Sequence, residues 1–190
     1  MKIAVIGTGK IGGTLGGKWQ AAGHDVVYGS RSAGGTGPGG APVRDVTAAM
    51  EGAEVVLLAV PGGAVAGVIS AIGHGLDGKV VVDAVNRMGE PVVNSHAAVV
   101  AAAPGARYVR AFNMLGWENF ADPLPGTALF FAADPQARTV AEVLITTVGL
   151  EPAYVGDAWA ANTVDGALPL WFSLVRQHGG NRKLAFALLR

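Results

Sequence analysis

The sequence predicts an α/β protein: a Rossmann-type, doubly wound parallel sheet with a small helical extension at its carboxyl end. Three observations carry this. Gly7-Thr8-Gly9-Lys10-Ile11-Gly12 stands between the apolar β-branched run Lys2–Ile6 and a helical stretch, residues 13–22, with a second strand at Asp25–Tyr28. Further runs of strand character at 54–60, 79–83 and 107–112 alternate with segments of helical periodicity. From Ala158 onward strand character disappears and the chain reads as mostly helical. The expected division is a dinucleotide-binding Rossmann domain over 1–156 and a helical segment over 157–190 that packs on it or on a dimer partner.

Each element of the first unit has a physical reason. Gly7 allows the tight turn out of the strand, Gly9 lets a pyrophosphate approach the backbone, and Gly12 lets the helix pack close to the sheet. The unpaired N–H groups of the first helical turn then face the phosphates. Gly7, Thr8, Gly9, Lys10, Ile11 and Gly12 are therefore the expected pyrophosphate turn. Strand two ends in Tyr28-Gly29-Ser30-Arg31-Ser32, where an NAD site normally has a carboxylate for the ribose hydroxyls. Here Arg31 offers its fork of donors to a 2′-phosphate, and Ser30 and Ser32 add hydroxyls, which points to NADP. Residues 33–42 are too glycine-rich for helix or strand and read as a flexible loop.

Residues 45–51 read as a short helix with Asp45 near its start, and 54–60 as strand three. Pro61 suits the first position of the next helix, which has Val65, Val68, Ile69 and Ile72 on one face. Ala59, Val60 and Pro61 are expected at the carboxyl edge of the sheet, against the cofactor. Strand four, 79–83, leads into Ala84-Val85-Asn86, where Asn86 is either a contact near the nicotinamide or a plain turn residue. A helix over 94–103 precedes strand five, 107–112. Asn113 is placed to bind a ligand carbonyl, with Met114 and Leu115 as an apolar wall, while Trp117 and Phe120 read as packing residues. Strand six covers 127–132, Asp134-Pro135 reads as the cap and first turn of a helix over 135–148, and a short strand covers 151–155. Pro169 is expected to kink or split the C-terminal helix, and Gly179-Gly180 to break it.

Composition narrows the function. With 51% hydrophobic and 15% charged residues, the chain has the makings of a packed core. Fourteen basic residues balance fourteen acidic ones, so no global charge points to nucleic acid or to an acidic membrane. There is no cysteine, hence no disulfide, thiolate catalysis or cysteine-based metal site, and the four histidines show no ligand spacing. Strand one follows Met1 directly, so no targeting leader fits and a cytoplasmic protein is expected. The uncharged stretch 55–73 is interrupted by Pro61-Gly62-Gly63 and reads as buried strand and helix. After Asp165 no acid follows, while Arg176, Arg182, Lys183 and Arg190 do. These make either a solvated basic face or a site for an anionic ligand.

No nucleophile–base pair, no carboxylate dyad and no lysine or histidine at a strand end stands out as a proton donor, so no catalytic residue and no metal site is assigned. Hydride exchange between two cofactors needs mainly positioning. In this light the chain resembles the NADPH-dependent coenzyme F420 reductases, the F420:NADP oxidoreductases. The matching stretches are Ile3–Gly12, Tyr28-Gly29-Ser30-Arg31, Ala111–Gly116 with Glu118-Asn119-Phe120, and residues 182–190. The resemblance implies a homodimer and direct hydride transfer between NADPH and a deazaflavin. It also implies that Thr8, Ser30 and Arg31 hold the 2′-phosphate end, and that Asn113 and the C-terminal segment border the deazaflavin. One stretch departs: residues 156–165 carry Trp159, alanines and Asn162 where family members tend to have Gly-Pro-Leu, a hydroxyl residue, Arg and Glu. Trp159 is expected in the acceptor pocket. The acceptor is then a deazaflavin, or else a flavin, quinone or small carbonyl compound. The third reading is an NADP(H)-binding regulatory protein without turnover.

Overall fold

The computed structural model describes residues 1–189; Arg190, the last residue of the expected basic C-terminus, lies outside the described residues. Eight strands form one sheet: β1 (Lys2–Ile6), β2 (Asp25–Gly29), β3 (Val43–Arg44), β4 (Val55–Leu58), β5 (Val80–Asp83), β6 (Arg107–Arg110), β7 (Ala128–Ala133) and β8 (Glu151–Gly156). Their spatial order is β3-β2-β1-β4-β5-β6-β7-β8. The first six in that order are parallel, β7 runs antiparallel to β6, and β8 is parallel to β7. The expected doubly wound sheet is present, with a reversal at β7 that apolar periodicity does not encode. A buried strand is apolar in either direction.

Helices cover both faces: α1 (Lys10–Ala21), α2 (Val46–Ala49), α3 (Gly62–Ile72), α4 (His96–Ala102), α5 (Trp117–Ala121), α6 (Arg138–Val148), α7 (Ala161–Asp165) and α8 (Ala167–Gln177). One core contains Leu15, Trp19, Phe112, Phe120, Leu144 and Trp171; the other contains Val56, Leu58, Val65, Ile69, Val99 and Tyr108. The near-continuous apolar strands follow from this two-sided burial. No helix among the described residues is long and apolar enough to cross a membrane.

Several expected elements take a different form. The 33–42 loop is a hydrogen-bonded turn, with Thr36 bridged to Pro42 and a 3-10 turn at Pro38–Gly40. It leads into β3, a strand too short to leave a periodic signal. Asp134 does not cap a helix: its carboxylate accepts from the Tyr108 N–H at 2.6 Å, and α6 begins at Arg138. The C-terminal helix is split at Gly166, between α7 and α8. Pro169 lies in the first turn of α8, and its ring would meet the carbonyl of Asp165 in an unbroken helix. Beyond α8 the chain runs back to the sheet. Trp171 Nε1 donates to the Leu184 carbonyl at 2.8 Å, and Ala128 N donates to that of Phe186, also at 2.8 Å. Phe186 thus pairs with the part of β7 that extends beyond β6.

Candidate functional site

The register of the sheet sets the site. Gly29 pairs with Ile6, Ile6 with Leu58, Leu58 with Asp83, and Asp83 with Arg110, so five parallel strands end in one row. The residues that follow these ends lie along a single edge: Gly7, Ser30, Ala59, Ala84 and Ala111. The chain connects β1 to β2 on one side and returns to β4 on the other, which opens the crevice in which such sheets bind ligands.

At the centre of the edge the glycines behave as the motif requires. Gly7 has φ +115°, and a Cβ there would overlap the Ala59 carbonyl. A Cβ on Gly12 would overlap the Gly7 carbonyl, whereas a Cβ on Gly9 would meet nothing within 4 Å. The motif therefore spends two glycines on packing and leaves the third facing open space. Helix α1 begins at Lys10 with no side-chain cap, so its first N–H groups remain for an incoming anion. Thr8, Gly9 and Lys10 are exposed and Ile11 is half-buried. Lys10 Nζ lies 4.7 Å from the centre of the Trp117 ring, so Trp117 has a polar neighbour as well as a packing role.

Beside this turn, Ser30 is held by its N–H to the Arg44 carbonyl at 2.9 Å. Its Oγ accepts from Ser32 N at 3.2 Å. Arg31 and Ser32 are exposed, and Arg31 forms no ion pair among the described residues. On the other side Ala59 and Val60 are half-buried, Pro61 caps α3 and is exposed, and Ala84 is buried.

The far end of the row holds a buried polar network that apolar periodicity does not reveal. Arg110 is fully buried. Its Nε donates to Asp165 Oδ1 at 2.7 Å, one terminal nitrogen donates to the carbonyls of Asp83 (3.1 Å) and Val85 (2.6 Å), and the other to Asn86 Oδ1 at 2.8 Å. Asp83 Oδ2 lies 3.4 Å from the guanidinium and accepts from Tyr108 Oη at 2.7 Å and from Ser95 N at 2.7 Å. Asp165 also accepts from Asn113 Nδ2 at 3.0 Å and from Asn94 Nδ2 at 2.8 Å. Burial, then the Asp83 charge, push the Tyr108 phenol well above its ordinary pKa. The clue in the sequence was a charge inside or at the end of an apolar strand, since a buried charge must be paired.

This network redefines several expected site residues. The Asn86 side chain is occupied at both ends, by Arg110 and by the Asn113 carbonyl that its Nδ2 reaches at 2.7 Å. It supports the edge and has less to offer a nicotinamide than its position suggested. Asn113 is 2% exposed, and its Oδ1 is buried without a partner. Met114 and Leu115 are both buried in the core and do not line an open wall. Trp159 is 81% exposed and meets the edge of His96 at 5.1 Å between ring centres. Asn113, Met114 and Leu115 do not share its surroundings. The basic C-terminus is largely spent: Arg182 pairs with Glu118 at 2.8 Å and Lys183 with Asp122.

Residues 2–87 match the model of a family described as NADP oxidoreductase, coenzyme F420-dependent. A candidate F420-dependent NADP reductase from Arthrobacter sp. FB24 matches over 100% of both chains at 23% identity, with a TM-score of 0.83. A hypothetical protein from Sinorhizobium meliloti matches over 100% of this chain and 96% of its own, at 24% identity and a TM-score of 0.71. A reductive aminase from Aspergillus terreus, solved with NADPH4, cyclohexanone and allyl amine, matches over 94% of this chain at 19% identity and a TM-score of 0.71. This chain covers 62% of that enzyme's length. At these identities the likeness is one of fold. The resemblance read from the sequence holds over residues 2–87, where the chain matches the model of the coenzyme F420-dependent NADP oxidoreductases.

Proposed function

We propose that the protein transfers hydride between NADPH and a deazaflavin, coenzyme F420, or a similar acceptor, as a cytoplasmic homodimer. In this reading residues 1–156 are its NADP-binding part, and the segment from 157 onward, whose last helix ends at Gln177, packs on that part or on a dimer partner. The observation that carries this reading is the open space in front of Gly9, beside the uncapped start of α1 and the unpaired Arg31. These fit a pyrophosphate and a 2′-phosphate. Bound NADPH would supply the hydride. The chain's own part is to hold the phosphates on α1 and Arg31, and to set the carboxyl-edge loops through Arg110. Asn86 and Asn113 lie where those loops meet.

A second reading keeps the enzyme and changes the acceptor to a flavin, quinone or small carbonyl compound. Trp159 and Asn162 favour it, because they stand where the family tends to have other residues. The deciding experiment follows NADPH oxidation and bleaching of the deazaflavin band with a panel of acceptors that includes F420. Bleaching supports the first reading and turnover with another acceptor alone supports the second. Tight NADPH binding with no oxidation by any acceptor leaves a non-catalytic NADP(H)-binding protein.

A further inference from the structure

A cavity of about 790 Å³ opens between the loop that leaves β5 and helices α7 and α8. It is large enough for a small-molecule ligand. Met88, Val92 and Val93 form one wall and Leu168 and Phe172 the other. Asp165 lies at the end near Asn113, where its oxygens are taken by Arg110, Asn113 and Asn94. Arg176 lies at the other end, in the last turn of α8. From Leu168 to Arg176 the helix rises on the order of 12 Å. Arg176 donates to Ser173 Oγ at 3.1 Å and pairs with no carboxylate among the described residues.

We propose that this cavity is the acceptor site and takes an elongated apolar molecule with one anionic group, the anion on Arg176 and the reducible end toward Asn113 and Asp165. The proposal rests on the second form of the oxidoreductase reading above, with an acceptor other than F420, and adds the place and class of that acceptor. Three features point the same way. The walls between Asp165 and Arg176 are mostly apolar, with Asn162 and Ser173 as their polar members. Among the described residues, the cation at the outer end is the one charged group of the lining without an ionic partner. The carboxylate at the inner end is neutralised by Arg110, so an uncharged group meets the least repulsion there. At the inner end Asp165 is one hydrogen bond from Asn113, which follows β6 at the carboxyl edge of the sheet. In the reaction the acceptor's electrophilic carbon gains the hydride that NADPH loses, its heteroatom takes a proton from solvent, and NADP⁺ leaves.

The test uses two fluorescent probes of the same aromatic body on the full chain: 8-anilinonaphthalene-1-sulfonate, an anion, and N-phenyl-1-naphthylamine, which lacks the sulfonate. Both are titrated with and without saturating NADP⁺. The sulfonate should bind at one site, and Arg176→Ala should weaken it by about ten-fold or more. Arg176→Lys should restore part of the affinity, with the neutral probe and NADPH unaffected by either change. Ser173→Trp, which fills the cavity, should weaken both probes. Equal probe affinities in wild type and Arg176→Ala would overturn the proposal. So would sulfonate binding that survives Ser173→Trp, or a dimer in which a second copy occupies the cleft and excludes both probes. Acceptors found in the NADPH assay should displace the sulfonate. Displacement failing while turnover holds removes the cavity and keeps the oxidoreductase. The reverse, probe behaviour as expected with no turnover, removes the oxidoreductase reading and keeps an anion-selective cavity.

Discussion

Among single residues, Gly7, Gly9 and Gly12 share a motif but not a consequence. Gly9→Ala adds a methyl that touches nothing, so the thermal midpoint should stay close to wild type while NADPH affinity falls as the pyrophosphate meets the new group. Gly7→Ala puts a side chain at φ +115° against the Ala59 carbonyl and should lower the midpoint itself. Thermal unfolding and NADPH titration of both variants separate the roles; equal loss of stability in both would remove the distinction. Arg31 makes the companion prediction. Arg31→Ala removes the guanidinium from an exposed position with no ion pair to disturb, and should weaken NADPH by about 1.5–3 kcal/mol, the range for a charged hydrogen bond, with NADH little changed. Parallel titrations with the two nucleotides check it, and equal weakening would refute the 2′-phosphate assignment.

At the scale of elements, the telling contact is between α7 and the ends of β5 and β6. Asp165 is the main point at which the helical segment grips the buried guanidinium of Arg110. Asp165→Ala leaves Arg110 with Asp83 at 3.4 Å, two carbonyls and Asn86. The cost should therefore fall near the low end of that for breaking a buried pair, about 3 kcal/mol. Denaturant unfolding of the variant measures it. A change within a few tenths of a kcal/mol would mean that the α7 contact adds little to the fold. The same contact explains the altered roles of Asn86 and Asn113. Both were correctly read as residues at strand ends, because strand and turn patterns are local. Their hydrogen-bond partners lie 24 to 52 positions away, which no local pattern contains.

The molecule as a whole depends on close approach of α1 to the sheet, and Tyr28 reports on it. Its ring lies under Gly16 and Gly37, its hydroxyl donates to the Gly13 carbonyl at 3.4 Å, and burial pushes its pKa up to about 12. The unfolded chain loses this proton near pH 10, so the folded state binds the proton more tightly. The resulting stability is present in full below about pH 10 and is lost as the pH rises toward about 12. Tyr108 adds a change of the same sign. Unfolding midpoints measured across that window should fall for wild type and fall less steeply for Tyr28→Phe; parallel curves would mean that Tyr28 titrates alike in both states.

The sequence alone pointed to the parallel part of the sheet and to the nucleotide half of the proposed site. Strand, glycine turn, helix and strand are consecutive, and the Gly7–Gly12 turn and Arg31 lie within one such unit. Their roles follow from backbone geometry and a single charge. Tertiary structure decided the reversal at β7, the return of the C-terminal segment to Ala128, the Arg110 network and the cavity beside α8. Each of these joins segments remote in the chain, and a buried ion pair or a shared cavity exists only once the fold has brought its two sides together.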